Sequence, residues 1–235
     1  MTFDNSQLPD YTWADLNWLK YEIDMNLDSV KESISFNENL IINKKEWLQS
    51  AIDADELLNS DEPEEVKAQY HDQKYHFMED NRLTLEVVLY NSTFLTLFAI
   101  YEGMMKKLCQ SIESRIKSTV KHTDLQNGGK NDQFQKYFLL VVGMNLTDSG
   151  KYHNQIVTYK TIRNKIAHEK NQLTPEALSM FKAISNLKLN NENQIVVSSP
   201  LLNDLITLME HYFKALFFEI DIRMANIMIS NKEVN

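Results

Sequence analysis

The chain has 235 residues, of which 43% are hydrophobic and 24% charged, and its formal net charge is -9. These values are typical of a soluble globular protein with one large domain, or one domain plus an extension. The acidic balance excludes a protein that coats nucleic acid through its overall field, because that field repels phosphate. With only 5 Gly and 4 Pro, the composition favours long helices over an all-β fold with many turns.

Targeting and redox signals predict a soluble, cytoplasmic protein. Cys109 is the only cysteine, so an intrachain disulfide is excluded, as is usual in a reducing compartment. The N-terminus lacks a basic segment followed by an apolar run, so we expect no secretory signal. The most apolar stretches, 94–101 and 137–144, are shorter than the roughly 20 residues of a membrane-spanning helix. We therefore expect no membrane association.

Apolar spacing predicts helices along the first half of the chain. After a predicted N-cap at Thr12, apolar residues recur every three or four positions over 13–34, and a second helical stretch reaches about residue 58. The segment 63–118 predicts a helix to about residue 78 and then a strongly apolar helix. We expect this apolar helix to be the buried centre of the fold.

Shorter elements follow. Polar residues and a glycine pair at 119–132 predict a loop, and Phe134–Leu146 is expected to form a short buried helix. Further helices are predicted at about 155–170 and from Thr174, which precedes Pro175.

A small hairpin and a long helix are predicted at the end. The segment 186–197 alternates on both sides of an Asn-rich turn, as in a β-hairpin, and a last helix begins at Ser199. The predicted fold is an all-α, up-and-down helical bundle with a late β-hairpin. We place a long N-terminal helical extension at 1–80, packed on a helical domain at 81–235; a single continuous domain is the alternative.

The segment TIRNKIAH, residues 161–168, carries the most information about function. In a helix, residues four apart share a face, so Asn164 and His168 lie together, while Arg163 lies about 140° away from His168 around the axis. Histidine moves protons near neutral pH, arginine binds phosphate through paired hydrogen bonds, and an amide orients either group. This set suits metal-independent RNA cleavage by attack of a 2′-hydroxyl on phosphorus. One helix supplies only half of such a site.

Basic residues surround this segment. Five cations and one acid, Glu169, fall within 151–170, a local charge of +4 in an acidic chain. Three of them are candidate RNA- or phosphate-binding residues: Lys160, Lys165 and Lys170. A solvated helix face with an incidental histidine is the alternative interpretation of the same residues, and it remains open.

Arg163, Asn164 and His168 resemble the Arg-x4-His motif of the HEPN superfamily. The stretch FLTLFAIYEGMMKKL (94–108) is similar to that family's early core helix, and the resemblance covers about residues 81–228. It implies a helical bundle that forms a homodimer, with two motifs facing each other in one cleft. The roles it implies are as follows: Arg163 binds the scissile phosphate, His168 acts as general acid or base, Asn164 orients the site, and Glu102 is a weaker supporting candidate.

The resemblance also implies an activity and its alternatives. The expected function is that of an endoribonuclease on RNA, a toxin or antiphage, abortive-infection effector whose partner is an antitoxin or another defence-system protein. The alternative is a catalytically inactive dimer that binds RNA, nucleotide or protein, and a purely structural protein is a third. In one branch a tyrosine lies two residues after the histidine and is modified by a nucleotidyltransferase. Lys170 stands there, so that kind of antitoxin is not supported.

No metal or cofactor is expected. His71 and His76 are five apart and share no helix face, and the sequence offers no further ligands at zinc spacing. His122 and His153 fall in predicted polar connections and are expected to be exposed.

Overall fold

Helices dominate the computed structural model, which describes residues 11–58, 61–125, 132–168, 184–190 and 194–233. Its two short strands pair antiparallel, with Lys188 opposite Val196 and Leu189 opposite Ile195. The predicted all-α fold with a late β-hairpin is therefore confirmed. The helix predicted from Thr174 lies outside the described residues. The elements are α1 (Ala14–Leu58), α2 (Glu64–Ile116), α3 (Gln133–Lys136), α4 (Ser149–His168), β1 (Lys188–Leu189), β2 (Ile195–Val196) and α5 (Ser199–Glu233).

The helix α1 runs unbroken for 45 residues, so the two predicted helical stretches are one element. The apolar positions predicted from spacing over 13–34 are buried on one face of it. They contact α2 and α5 and belong to the same core as those helices. These buried residues are Trp13, Leu16, Leu19, Ile23, Leu27, Val30 and Ile34.

The helix α2 runs for 53 residues and is only partly the buried centre that the sequence predicted. From Tyr90 onward its apolar residues line the core, among them Phe94, Leu97 and Phe98. Val87 and Val88, by contrast, are 47% and 53% exposed, so the prediction was wrong for this stretch. These side chains are exposed because the part of α2 before Tyr90 does not pack against the main core cluster.

We call residues 38–58 of α1 and 64–89 of α2 the distal hairpin. The expected domain boundary near residue 80 falls inside α2, the second helix of the distal hairpin. Two of its side chains are buried, Leu48 and Tyr75. The Tyr75 hydroxyl donates to the Ala51 carbonyl at 3.0 Å and to the carboxylate of Asp55, which also pairs with Lys74. The remainder of the described chain we call the body.

The helix α5 lies at the centre of the body and anchors the starts of two other helices. The Asp221 carboxylate accepts hydrogen bonds from the N–H groups of Thr12 and Trp13, at 3.1 and 3.0 Å. The Glu219 carboxylate accepts from the N–H of Asp148 at 2.8 Å and from the Ser149 hydroxyl. Carboxylates placed at helix N-termini satisfy donors that have no intrahelical acceptor. Side chains of α5 therefore complete the first turns of α1 and α4.

A third contact from α5 fixes the segment after α3. The predicted helix Phe134–Leu146 is instead the four-residue α3 followed by a π-helical turn over Tyr137–Val142. Arg223 Nε donates to the Val142 carbonyl at 2.9 Å. The chain then turns at Gly143, whose φ is +69°, and a Cβ there would lie 3.0 Å from Arg223 Nη2. Glycine is therefore favoured by the positive φ, and a larger residue would also displace the guanidinium slightly.

One helix among the described residues, α2, is long and apolar enough to cross a membrane by length and composition alone. Core helices of soluble proteins pass the same criterion, and the fold is compatible with a soluble protein. In its most apolar 18-residue stretch, 28% of the residues are buried.

Candidate functional site

The TIRNKIAH segment forms the last two turns of α4. Ile156, Tyr159 and Ile162 are buried and fix the orientation of the helix against the core. This orientation leaves Asn164 and His168 exposed in the last described turns of the helix. Arg163 lies between the buried face and the exposed face of the helix, because its side chain is only 22% exposed.

Two residues of α2 hold the Arg163 side chain. Its Nη2 donates to Oε1 of Glu102, and its guanidinium carbon lies 5.8 Å from the centre of the Phe98 ring. Phe98 and Glu102 are one turn apart on the same face of α2, so the ring and the carboxylate contact the guanidinium together. Arg163 Nε is buried without a hydrogen-bond partner. The guanidinium is thus positioned with donor capacity remaining.

Glu102 lies between two cations. Lys160 Nζ is 3.8 Å from the same Oε1 atom that Arg163 contacts, and Lys160 precedes Arg163 by three residues on α4. One carboxylate therefore offsets part of the charge of two neighbouring cations. Lys165 is half-buried nearby on the helix, and Lys170 lies outside the described residues.

The single chain brings together some of the predicted site residues and separates others. Glu102, Lys160 and Arg163 form one contact group between α2 and α4. Asn164 and His168 share the exposed side of α4, as the four-residue spacing requires. That a second chain completes the site stays a prediction.

His153 lies beneath this group and is not exposed, so the prediction for it was wrong. Only 2% of it is accessible, and its Nδ1 lies 3.4 Å from the hydroxyl of Tyr101, the neighbour of Glu102. Burial lowers the pKa of His153, and the Lys160 charge lowers it further against an opposing effect of Asp132. The segment predicted to be a polar connection is the first turn and a half of α4, which faces the core.

His122 is also buried, at 3% exposure, against the prediction. Its Nδ1 lies 2.7 Å from the Glu113 carboxylate, and its ring stacks on Phe134 at 5.7 Å. A polar flanking sequence does not reveal a carboxylate and an aromatic ring that come from other elements. His122 is therefore a packed core histidine at the end of α2.

The described part of the chain contains no group of three or more His, Cys, Asp or Glu side chains placed to hold a metal ion. Cys109 is fully buried, and desolvation raises the pKa of its thiol well above the usual range, so it is not a nucleophile. Two cavities, of about 750 and 400 Å³, lie in the distal hairpin and between α4 and α5. Arg163, Asn164 and His168 line neither of them.

Sequence reasoning missed Phe98 and His153 in this region. The signal for Phe98 was present, because its four-residue spacing from Glu102 places both on one face of α2. No family model, curated protein or solved structure significantly matches the chain. The HEPN assignment therefore remains a prediction that depends on the motif residues.

Proposed function

We propose that the protein is a metal-independent endoribonuclease of HEPN type, acting as a toxin or antiphage effector in the cytoplasm. The active form is a homodimer in which two TIRNKIAH segments face each other. Its partners are RNA and an antitoxin or defence-system protein. Each chain contributes Arg163, Asn164 and His168 to a shared cleft.

The observation that carries this proposal is the Arg163 guanidinium held by side chains of α2, with the exposed His168 five residues later on the same helix. Glu102 and Phe98 orient the guanidinium, which has five N–H donors and uses one on Glu102. The guanidinium donors other than the buried Nε suit a phosphate whose charge increases during attack of the 2′-hydroxyl. His168 is accessible for proton transfer to the attacking or leaving oxygen.

The dimer requirement follows from the geometry of one helix. Arg163 and His168 lie on different sides of α4, so one scissile phosphate contacts both only if the second chain supplies one of them. The Lys160 and Lys165 side chains would contribute phosphate contacts along the same helix.

A specific observation favours the alternative of a catalytically inactive, RNA- or protein-binding dimer. The Glu102 carboxylate already pairs with Arg163 and lies 3.8 Å from Lys160, which reduces the positive potential available to phosphate. The net charge of -9 acts in the same direction.

Cleavage assays separate these two functions. Total RNA and tRNA are incubated in EDTA with the wild type, Arg163→Ala and His168→Ala. We expect cleavage by the wild type and a loss of at least about a hundredfold in each variant, as for removal of a transition-state contact or proton-transfer group. His71→Ala, which removes an exposed histidine far from the motif, is the matched control and should cleave normally.

Equal background in all four proteins would exclude the enzyme. RNA binding retained in that case, and weakened by Arg163→Ala, would favour the inactive binding module. Circular dichroism of each variant ensures that loss of cleavage is not loss of folding.

A further inference from the structure

The side of α1 that faces away from the core carries large apolar side chains. Trp18, Phe36 and Trp47 are 71%, 69% and 56% exposed. The opposite face of the same helix is packed into the core. Apolar side chains on two opposite faces indicate a second packing partner for the outer face. We call the outer stripe the five exposed apolar residues of this face together with the small polar Ser29 that lies among them; it consists of Trp18, Met25, Ser29, Phe36, Leu40 and Trp47.

The outer stripe is symmetric along the helix. Its successive members are separated by 7, 4, 7, 4 and 7 residues. The spacing is an eleven-residue repeat, which drifts by only about 20° per repeat on a straight helix. The stripe therefore stays on one side of α1 over a length of about 44 Å.

We propose that the outer stripe binds the outer stripe of a second copy of this chain, with the two α1 helices antiparallel. The two-fold axis passes between residues 32 and 33. Because the axis lies between residues 32 and 33, the residue numbers of any two facing positions add up to 65. Trp18 then faces Trp47, Met25 faces Leu40 and Ser29 faces Phe36. In a two-fold interface each residue pair occurs twice, and a palindromic stripe meets this condition along its whole length.

The centre of the stripe combines a small residue with a large one. Ser29 and Phe36 face each other twice near the two-fold axis, so each phenyl ring packs over a serine of the other copy. Large-against-small pairs of this kind allow two helices to approach and interdigitate. A second copy satisfies this pairing together with the charge pairing on the flanks of the stripe, which is why we take it as the occupant.

Charges beside the stripe also match in the antiparallel arrangement. Lys44 and Glu22 lie on the same flank of the stripe, and the symmetry brings Lys44 of one copy level with Glu22 of the other. Glu22 remains 40% exposed although it pairs with Lys107 of its own chain. Lys44 Nζ lies 5.7 Å from the Trp47 ring, which directs it toward the stripe. Opposite charges therefore meet near both ends of the interface.

The neighbouring surface of α2 leaves room for the second copy. The contacts Glu22–Lys107 and Asp55–Tyr75 place the centre of the stripe level with about residue 97 of α2. At this level the exposed positions of α2 are small, and a Cβ added at Gly103 would meet nothing within 4 Å. These positions are Ser92, Thr96, Ala99 and Gly103.

Single-cysteine crosslinking tests this proposal directly. The chain's own cysteine, Cys109, is fully buried, so it gives little background with a short bis-maleimide. Ser33→Cys lies at the two-fold axis and should crosslink two copies efficiently. Ser50→Cys lies about 50 Å from its equivalent in the other copy and should not. Crosslinking at neither position, or equally at both, would overturn the antiparallel dimer.

Sedimentation equilibrium then measures the strength of the interface. Phe36→Glu should weaken the dimer about a hundredfold, because the change occurs twice per interface. Phe77→Glu is the matched control, since Phe77 is 73% exposed but lies on the distal part of α2. A wild type that stays monomeric contradicts the proposal. So does a Phe36→Glu, Ser33→Cys variant that crosslinks at the same protein concentration as Phe77→Glu, Ser33→Cys, because association through α4 does not produce that crosslink.

A charge exchange keeps the test independent of the apolar contacts and of the α4 site. Lys44→Glu alone should weaken association several-fold, and the double variant Lys44→Glu, Glu22→Lys should restore it. Failure of the double variant to associate better than the single one contradicts the predicted register. Crosslinking at Ser33→Cys distinguishes this dimer from one formed through α4.

Discussion

The body and the distal hairpin share the helices α1 and α2 but differ in burial. In the body, α1, α2, α4 and α5 contribute side chains to one core, and residues such as Phe94 and Leu97 are inaccessible. In the distal hairpin the described residues of α1 and α2 pack on each other, and Leu48 and Tyr75 are their buried side chains. Apolar composition continues without a break across this boundary. The difference shows that burial depends on how many elements meet at a level, and not on the apolar content of one helix.

Removing one phenyl ring from each region gives the largest expected difference. Phe213→Ala empties a site that is 2% exposed in the body and should lower the free energy of unfolding by about 3–5 kcal/mol. Phe77→Ala removes the same group from a site that is 73% exposed and should change it by less than about 0.5 kcal/mol. Urea denaturation measures both, and similar losses would show that the hairpin is packed as the body is.

The anchoring of α1 to α5 should have the next largest effect. Asp221→Ala leaves the N–H groups of Thr12 and Trp13 without their acceptor and should cost about 1–2 kcal/mol in the body. Asp53→Ala removes a carboxylate that accepts only from the exposed Gln49 in the distal hairpin, and should be nearly neutral. Equal losses of unfolding free energy in the two variants would mean that the Asp221 hydrogen bonds stabilise the fold no more than the exposed Asp53 contact does.

His153 gives the body a dependence on pH. Because burial lowers its pKa below the ordinary value of 6.5, the folded protein favours the neutral ring. The stabilisation is complete above pH 6.5, where the unfolded chain is also neutral, and decreases as the pH falls from 6.5 toward the folded pKa. His153→Gln should flatten the dependence of unfolding free energy on pH in this window. If the slope of unfolding free energy against pH is unchanged in His153→Gln, other groups cause the pH dependence.

The smallest effect is expected inside the distal hairpin. Tyr75→Phe removes the hydroxyl that bonds the Ala51 carbonyl and Asp55, and should cost about 0.5–1.5 kcal/mol. Amide hydrogen exchange should quicken in 38–58 and 64–89 while the body is unaffected. Tyr70→Phe, at a side chain that is 44% exposed, is the control. Faster exchange throughout the chain would mean that both regions unfold as one unit.

The sequence was sufficient for features that depend on neighbouring residues. Three- and four-residue spacing identified the buried face of α1, and alternation around the Asn-rich turn identified the pairing of β1 with β2. The same spacing placed Asn164 and His168 on one face of α4. Each of these follows from local periodicity.

Features that depend on distant residues were not predictable. Asp221 contacts Thr12 from 209 positions away, and no local pattern identifies that acceptor. His153 was assigned to a polar connection because the residues around it are polar, whereas the ring packs beside Tyr101 and Tyr212. Likewise, the apolar run in α2 did not reveal that its first part extends beyond the core.

The three charged residues Glu219, Asp221 and Arg223 give α5 a role in the order of assembly. They hold the start of α4, the start of α1 and the turn at Gly143, and they lie within five consecutive positions. During synthesis these three anchors reach the other elements together and after all of them have been made. The first turn of α1 therefore gains its hydrogen-bond acceptors only after α5 has been synthesised. Until then, the apolar faces of α1 and α2 that α5 covers are exposed on the nascent chain.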